Sequence, residues 1–281
     1  MTTTTTPTVL APRSTEELVH VPGHVSLQQA VSDAMAMTWR NLLTYIRLPQ
    51  LFVFATIQPT IFVLLFRYVF GGAIKLPPSF PFTYVDYLMP GIFVQTAVFG
   101  AMGTGIGLAE DAQKGLIERF RSLPMARSAV LAGRTIADTV RNVFVVILMT
   151  VIGVLVGFRI HGGLLKYLVA MALLLLFAYA LSWVIAGIGL SVPNAETAQA
   201  AVFPFIAPLV FASSAFVDPS SMPGWLQVFA KHQPVTITVD AVRRLVLDQP
   251  IEQYALGSVL WSVGIVAVFA PLAIRQYRRV A

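Results

Sequence analysis

Six long apolar runs follow one another along the chain, and short polar segments separate most of them. Each run is close to the roughly 20 residues that an α-helix needs to cross a hydrocarbon core of about 30 Å. Their approximate bounds are Leu51–Phe70, Tyr87–Leu108, Asn142–Phe158, Leu165–Leu190, Ala198–Phe216 and Tyr254–Ile274. The pattern predicts an all-α integral membrane protein with six transmembrane helices, which together form a domain over residues 48–281.

Two different segments precede the first apolar run. Residues 1–25 contain a threonine run and several turn-forming residues, so we expect a disordered tail, and they lack the apolar stretch of a cleaved signal peptide. Residues 26–47 have a helical repeat of apolar positions. The face consists of Leu27, Val31, Met35, Trp39, Leu42 and Ile46. This pattern predicts an amphipathic helix in the plane of the membrane interface, or alternatively a helix packed on the polar side of the protein itself.

Composition and charge agree with a membrane protein. The chain is 57% hydrophobic and 11% charged with a mean hydropathy of +0.76, which excludes an ordinary soluble domain. Twelve of the 19 lysines and arginines lie on one side of the predicted spans, six lie on the other, and Arg67 lies in the first run. We expect the protein in the plasma membrane. Because positive residues favour the cytoplasmic side, we also expect both termini in the cytoplasm. The net charge of +6 therefore indicates membrane orientation and not nucleic-acid binding.

A mixed-charge segment at 109–138 lies between the second and third runs, and we expect it to be a cytoplasmic loop. Within it, Leu116, Ile117, Phe120 and Leu123 share one face of a helix that Pro124 would end. A short amphipathic helix at a membrane surface lies on lipid or inserts into a partner protein. The balance of acids and bases favours the protein partner.

Polar side chains within the apolar runs are candidates for lining a transport pathway, with hydrogen bonding between helices as the alternative. They are Gln58, Gln95, Thr96, Ser213 and Ser214. No Asp, Glu or His lies within the runs, which argues against a proton-coupled secondary carrier because such carriers use intramembrane carboxylates. The spacing Gly103-x3-Gly107 predicts a close approach of two helix backbones.

Sequence motifs of catalysis are missing from the chain. It has no phosphate-binding loop, no zinc-protease motif and no nucleophile elbow. It also has no cysteine, and its four histidines lack a metal-ligand spacing. We therefore expect neither a catalytic site nor a metal site, and any ATP that drives the protein must bind to another chain.

A second long polar segment, residues 217–253, precedes the last run on the predicted outer side. Pro234 separates two short apolar helices there, at Trp225–Phe229 and Val235–Leu247. Asp240 can form an ion pair with Arg243 or Arg244 about one helical turn further on.

The mixed-charge segment resembles a known family. Glu110, Gly115, Glu118-Arg119 and Pro124 stand at the spacing E-x4-G-x2-E-R-x4-P, which is similar to the cytoplasmic loop of ABC type 2 export permeases. In that family a coupling helix in this loop docks on a separate ATPase subunit. The resemblance implies a coupling role for Glu110, Gly115, Leu116, Ile117, Glu118, Arg119, Phe120 and Pro124.

The outer segment resembles the same family, and in particular its daunorubicin-resistance-type branch. The matching residues are Met222–Leu226, His232–Thr236 and Asp240–Arg243. The resemblance implies short re-entrant helices here, with Trp225, Pro234, Asp240 and Arg243 at the matched positions. It also implies a permease that pairs with a second copy or a sibling chain, is surrounded by membrane lipids, and uses ATP and Mg²⁺ held by the ATPase. The cargo would be an amphipathic drug, antibiotic or lipid, and a membrane scaffold that recruits a cytosolic partner remains the alternative function.

Overall fold

The computed structural model of the protein describes residues 27–48, 50–72, 74, 80–117 and 127–280. All regular elements in these residues are helical, which confirms the all-α fold class. Nine α-helices lie in the described part of the chain, together with a π-helical turn at Leu65–Phe70 and a 3-10 turn at Pro219–Ser221. The helices are α1 (Leu27–Arg47), α2 (Gln50–Leu64), α3 (Tyr84–Gln113), α4 (Arg127–Val156), α5 (Gly163–Leu190), α6 (Ala195–Phe211), α7 (Gly224–His232), α8 (Pro234–Val246) and α9 (Glu252–Val280).

Five helical segments of the described residues are long and apolar enough to cross a membrane. They are Val53–Phe70, Tyr84–Gln113, Ser128–Val156, Gly163–Leu190 and Gln253–Arg279. The remaining predicted span corresponds to α6, an apolar helix of 17 residues. It ends at Phe211 and not at Phe216, because the chain turns there and the Ser213 hydroxyl bonds to the carbonyl of Val210 at 2.5 Å.

The prediction of a loop over 109–138 is wrong in its bounds. Helix α3 continues to Gln113 and α4 already begins at Arg127, so polar residues on both sides of residues 114–126 are helical. The apolar runs do not reveal this extension, because its polar residues are stabilised by ion pairs between helices in place of water. The extended helices also contain carboxylates, including Asp86 and Asp138, which the shorter apolar runs had left out.

Helices α3 and α5 form the centre of the bundle. Both bury most of their length, and they pack directly against each other. Their backbones meet at Gly105 and Gly189, where a Cβ on Gly189 would lie only 2.3 Å from the Gly105 carbonyl oxygen. The glycines of the predicted close-approach motif serve another purpose, because Gly103 and Gly107 face the guanidinium groups of Arg141 and Arg134.

Helix α1 packs against α4 with one face and leaves another face uncovered. The crossing is close, because a Cβ on Gly133 would lie 2.5 Å from the Cβ of Met37. The uncovered face carries most of the predicted apolar stripe, namely Val31, Met35, Trp39 and Ile46. Helix α1 therefore contacts the protein with one face and offers an apolar surface with the other.

Large apolar side chains are exposed along α2, α4 and α9, whereas α3 and α5 are mostly enclosed. Exposed Leu, Ile, Val and Phe in this number are unfavourable in water and are expected where lipid is the solvent. The outer helices therefore surround a packed centre with an apolar surface.

Candidate transport cleft and coupling segment

A polar cleft lies between α2, α3 and α4. Its volume is about 250 Å³, and its polar lining residues are Gln58, Gln95, Thr96, Arg141 and Asn142. Ala55, Pro59, Phe99, Gly100 and Val145 complete the lining. The structure thus brings together the two amides and the one hydroxyl predicted on the first two apolar runs, and it adds two polar residues of α4.

The side chains of α4 reach the backbone of α3 because Gly100 makes room for them. Arg141 Nη2 donates to the Gly100 carbonyl at 2.9 Å, and Asn142 Nδ2 donates to the Ala97 carbonyl at 3.4 Å. A Cβ on Gly100 would lie 2.2 Å from Asn142 Oδ1. Arg141 and Asn142 were missed as cleft residues because they stand at the inner boundary of an apolar run, where an arginine is usually an interface anchor.

The two predicted pathway serines do not line this cleft. Ser213 is buried in the turn after α6, where its hydroxyl donates to the Val210 carbonyl. Ser214 donates from its hydroxyl to Asp240 Oδ1 at 2.7 Å. Both serines lie beyond the end of α6, apart from the cleft that contains Gln58 and Gln95.

Asp240 and Arg243 form a buried cluster with Ser214 and Tyr87. The Arg243 guanidinium donates to Asp240 at 2.7 Å, to the Ser214 carbonyl at 2.6 Å and to the Tyr87 carbonyl at 3.0 Å. It also stacks on the Tyr87 ring, with the guanidinium carbon 3.7 Å from the ring centroid. Burial raises the pKa of the Asp240 carboxyl, and the charge of Arg243 opposes that shift. Arg243, and not Arg244, is the ion-pair partner of Asp240.

The two helices of the outer segment differ in their surroundings. Pro234 stands at the first turn of α8, a position that suits proline because the first helical N–H groups have no intrahelical acceptor. The apolar side chains of α8, such as Val239 and Val242, are buried against the rest of the protein. Helix α7 instead exposes Trp225 by 77%, next to Val228 and Phe229.

The coupling segment that the resemblance predicts, residues 110–124, is described as far as Ile117, and the predicted positions Glu118, Arg119, Phe120 and Pro124 lie outside the described residues. Lys114 pairs with Glu110 at 2.5 Å on the exposed end of α3. Gly115 adopts a φ of +67°, a left-handed conformation that glycine allows and that ends the helix.

Leu116 and Ile117 differ in exposure. Leu116 is half-buried, whereas Ile117 is only 3% exposed and lies in a cluster with Met37, Leu131 and Tyr277. Ile117 is therefore an anchor within this chain, and it is not an exposed side chain ready to enter a partner.

An ion-pair network connects α1, α3 and α4 next to this segment. Asp111 contacts Arg40 at 3.3 Å and Arg134 at 3.6 Å. Asp138 accepts hydrogen bonds from the Tyr45 and Thr104 hydroxyls, and Arg134 lies 3.7 Å from it. Burial and the adjacent Asp138 raise the pKa of Tyr45, so its hydroxyl stays protonated and acts as the donor.

The chain is similar to known membrane permeases. The model of the ABC-2 type transporter family matches residues 33–247. The daunorubicin resistance ABC transporter permease protein DrrB1 of Streptomyces coeruleorubidus is 35% identical over 250 residues, which are 89% of this chain and 87% of that protein.

More distant relatives cover similar parts of the chain. The probable doxorubicin resistance ABC transporter permease protein DrrC of Mycobacterium tuberculosis is 28% identical over 89% of both chains. The putative transport permease ycf38 of Cyanophora paradoxa is 24% identical over 76% of this chain and 74% of its own length. With its bundle of apolar helices and these matches, the chain belongs to the ABC-2 type transporter family of membrane permeases.

Proposed function

We propose that the protein is the membrane subunit of an ATP-driven exporter that moves an amphipathic drug, antibiotic or lipid out of the cell. The observation that carries this proposal is the polar cleft between α2, α3 and α4 within a family of transporter permeases. Relatives named for daunorubicin and doxorubicin resistance support an amphipathic cargo. Gln58, Gln95 and Thr96 are the proposed contacts of the cargo in this chain.

The proposed exporter takes its energy from ATP, which a separate chain binds and hydrolyses. ATP and Mg²⁺ bind to an ABC ATPase subunit, and the permease contributes no catalytic group. A second permease, either another copy or a sibling chain, completes the complex. The docking site for the ATPase is the coupling segment, in which Glu110, Gly115 and Leu116 stand next to Glu118, Arg119, Phe120 and Pro124.

The proposed exporter has a defined arrangement in the plasma membrane. Helix α6 acts as the sixth span, and α1 lies in the plane of the cytoplasmic interface with its uncovered apolar face in lipid. Helices α7 and α8 re-enter the outer interface. Both chain termini are cytoplasmic, and the 1–25 segment is a cytoplasmic tail.

A selectivity experiment tests the cleft. The Gln58→Leu and Gln95→Leu variants are reconstituted with the ATPase subunit, and the export of a panel of amphipathic compounds is measured. We expect normal insertion with an altered order of preferred compounds, because leucine preserves volume and removes hydrogen bonds. Gln253→Leu, an exposed residue at the beginning of α9, is the matched control. If both cleft variants lose expression without any change of preference, these amides only join helices.

A coupling experiment tests the docking site. Phe120 is the proposed anchor of the ATPase contact, and its truncation to Ala is expected to cost roughly 2 kcal/mol or more of docking. Reversal of Glu118 to Lys leaves an unpaired or repelled charge at the contact. Both variants are expected to insert normally and to lose export and cargo-stimulated ATP hydrolysis together. Full export by both variants would show that this segment does not couple the ATPase, and ATP hydrolysis that never responds to cargo would instead favour a scaffold.

A further inference from the structure

The cleft contains a guanidinium group without a carboxylate partner. Arg141 lies in the middle of α4, immediately before the apolar run 142–158, and charged groups within such helices are costly and usually functional. None of the ion pairs within 4.0 Å that the described residues form includes Arg141. By contrast, Arg134, two helical turns earlier, contacts both Asp111 and Asp138.

Much of the hydrogen-bonding capacity of Arg141 is unused. A guanidinium has five N–H donors. The Nη2 group donates to the Gly100 carbonyl at 2.9 Å and to Asn142 Oδ1 at 3.4 Å, and the guanidinium carbon lies 5.6 Å from the centroid of the Tyr45 ring. The Nε atom is buried and has no hydrogen-bond partner among the described residues. The group therefore has donors left for a bound molecule.

Gln95 adds a second unsatisfied polar group to the same cleft. Its side chain lies on α3 and is only 2% exposed, and its Oε1 atom has no hydrogen-bond partner in the described part of the chain. That oxygen is an acceptor and cannot bind an oxyanion, so the contact that Gln95 can make to one is through the two N–H donors of the same amide. Gln95 and Arg141 reach the cleft from two different helices and face one shared space.

The dimensions of the cleft fit a head group better than a whole ligand. Its volume of about 250 Å³ is below the ~300–1,000 Å³ that sites for complete drug-sized molecules occupy. The lining residues Ala55 and Gln58 are flanked on α2 by Phe54 and Ile57, which are exposed apolar side chains. An amphiphile can therefore place a polar head in the cleft while its apolar part lies along the outside of the helices.

The charge of the lining selects the sign of that head. Arg141 is the charged residue among those that line the cleft, and Asp138, one turn earlier on α4, is turned toward Tyr45 and Thr104. A cationic head would be repelled by the guanidinium. A carboxylate or phosphate would instead receive charge-assisted hydrogen bonds, for which the planar guanidinium is well suited.

We propose that this cleft binds the carboxylate or phosphate head of an anionic amphiphile, with Arg141 as the residue that determines specificity and Gln95 as a second contact. The proposal rests on the proposed function in that the cleft belongs to the export pathway. The head group comes either from an exported compound or from a membrane phospholipid, and both offer the same oxyanion chemistry.

Binding of a matched pair of fluorescent probes tests the proposal. The full-length permease in phosphatidylcholine nanodiscs is titrated with 11-(dansylamino)undecanoic acid and with its methyl ester, which lacks the negative charge. The acid is expected to bind at least about tenfold more tightly than the ester, since hydrogen bonds to charged groups are among the stronger ones. Equal affinity of the wild-type protein for the acid and the ester overturns the proposal without any variant.

Variants assign the preference to Arg141. Arg141→Gln is expected to weaken binding of the acid at least about tenfold and to leave binding of the ester unchanged. Arg141→Lys keeps the charge without the planar fork, so it should retain part of the preference. Arg275→Gln, which removes an exposed charge from α9 far along the chain, is the control and should preserve the preference. An unaltered preference in Arg141→Gln, with a normal thermal unfolding profile, would overturn the assignment.

Two further measurements distinguish a phospholipid from an exported compound as the source of the head group, and they distinguish the oxyanion site from the proposed export function. If a phospholipid occupies the cleft, phosphatidylglycerol in the nanodisc weakens binding of the acid in the wild type more than in Arg141→Gln. If an exported compound is the ligand, the two proteins respond alike, and the reconstituted complex with its ATPase moves the acid. A lack of ATP-driven export with intact, Arg141-dependent binding would contradict the proposed function and leave the oxyanion site standing. Export of amphiphiles without any preference for the acid would support the proposed function and contradict the oxyanion site.

Discussion

Asp138 joins three helices at a single carboxylate. It accepts hydrogen bonds from Tyr45 of α1 and Thr104 of α3, while Arg134 of its own helix lies one turn away at 3.7 Å. The carboxylate is 1% exposed, so its charge is stabilised by these partners and not by water. Through these contacts it joins α1 to α3 and α4, the two helices on either side of residues 114–126.

We expect Asp138→Ala to lower the free energy of unfolding by about 3–5 kcal/mol, because it leaves the buried Arg134 without one of its carboxylates. Tyr45→Phe removes one hydrogen bond to the charged group and should cost about 1.5–3 kcal/mol. Thermal unfolding of both variants in one detergent, followed by tryptophan fluorescence, measures the order of these effects. The double variant tests the contact itself, since its loss should be smaller than the sum of the two.

Lys114→Ala is the matched control for that series. Lys114 also belongs to an ion pair, but both members of the pair with Glu110 are exposed at the end of α3. Such pairs contribute little because water screens them. An equal loss of thermal stability in Lys114→Ala and Asp138→Ala would contradict the role of the buried network.

Arg243 offers a comparison between two neighbouring arginines. Lysine at position 243 would keep the charge for Asp240 but would lose the stack on Tyr87 and at least one of the bonds to backbone carbonyls. We expect Arg243→Lys to destabilise the protein by at least about 2 kcal/mol. Arg244→Lys changes a partly exposed residue that bonds to the Pro250 carbonyl, and it should stay within about 1 kcal/mol. Equal melting temperatures of the two variants would show that the fork of Arg243 is dispensable.

At the scale of single residues, the sequence predicted polar side chains in apolar surroundings better than charged ones. Gln95 and Thr96 stood out in an apolar run and do line a cleft. Arg141 and Asp138 stood next to a run, where a charge has a simple explanation at the membrane surface. Their buried contacts depend on helices α1 and α3, which are distant in the chain, and no local pattern encodes such contacts.

Helix crossings at glycine explain how the central elements pack. A Cβ on Gly189 of α5 would lie 2.3 Å from the Gly105 carbonyl oxygen of α3, so alanine there would push the two backbones apart. We expect Gly189→Ala to cost about 1–3 kcal/mol through overpacking, measured by thermal unfolding in detergent.

The same helix provides the control for that crossing. Gly187 lies two residues earlier on α5, and a Cβ there would approach Gln276 Oε1 only to 3.8 Å. Gly187→Ala should therefore be neutral or stabilising by up to about 1 kcal/mol, because alanine favours the helix. If both alanines are tolerated equally well, α3 and α5 do not meet at this point.

The extent of the elements was only partly predictable. The apolar runs located the five long helices, because a span in lipid must be a continuous helix to satisfy the hydrogen bonds of its backbone. It did not locate their polar ends, since residues such as Asp111 and Arg134 become compatible with a buried helix only after they pair. Gly103 shows the same limit of sequence-based prediction. It makes room for the Arg141 side chain, and the sequence alone does not distinguish such a glycine from one that makes room for another helix backbone.

At the scale of the whole molecule, the number of membrane crossings decides on which side each functional surface lies. Helix α6 has 17 residues, which is about 26 Å of helix and slightly less than a typical hydrocarbon core. If α6 crosses the membrane, the two chain termini are on the same side, and the end of α3 at Gln113 lies on the opposite side from α7 and α8. If it does not cross, the termini lie on opposite sides.

Cysteine labelling can determine this number, because the chain has no cysteine of its own. Single cysteines are placed at Gln113 on the end of α3, at Glu196 on the first turn of α6 and at Ser220 beyond its end, and all three positions are exposed. With six spans and a cytoplasmic N-terminus, a membrane-impermeant maleimide should label only Ser220→Cys in intact cells. It should label Gln113→Cys and Glu196→Cys after permeabilisation. Labelling of Glu196→Cys and Ser220→Cys from the same side would mean that α6 does not cross. The end of α3 could then still be cytoplasmic, but α7 and α8 would have to lie on that side as well.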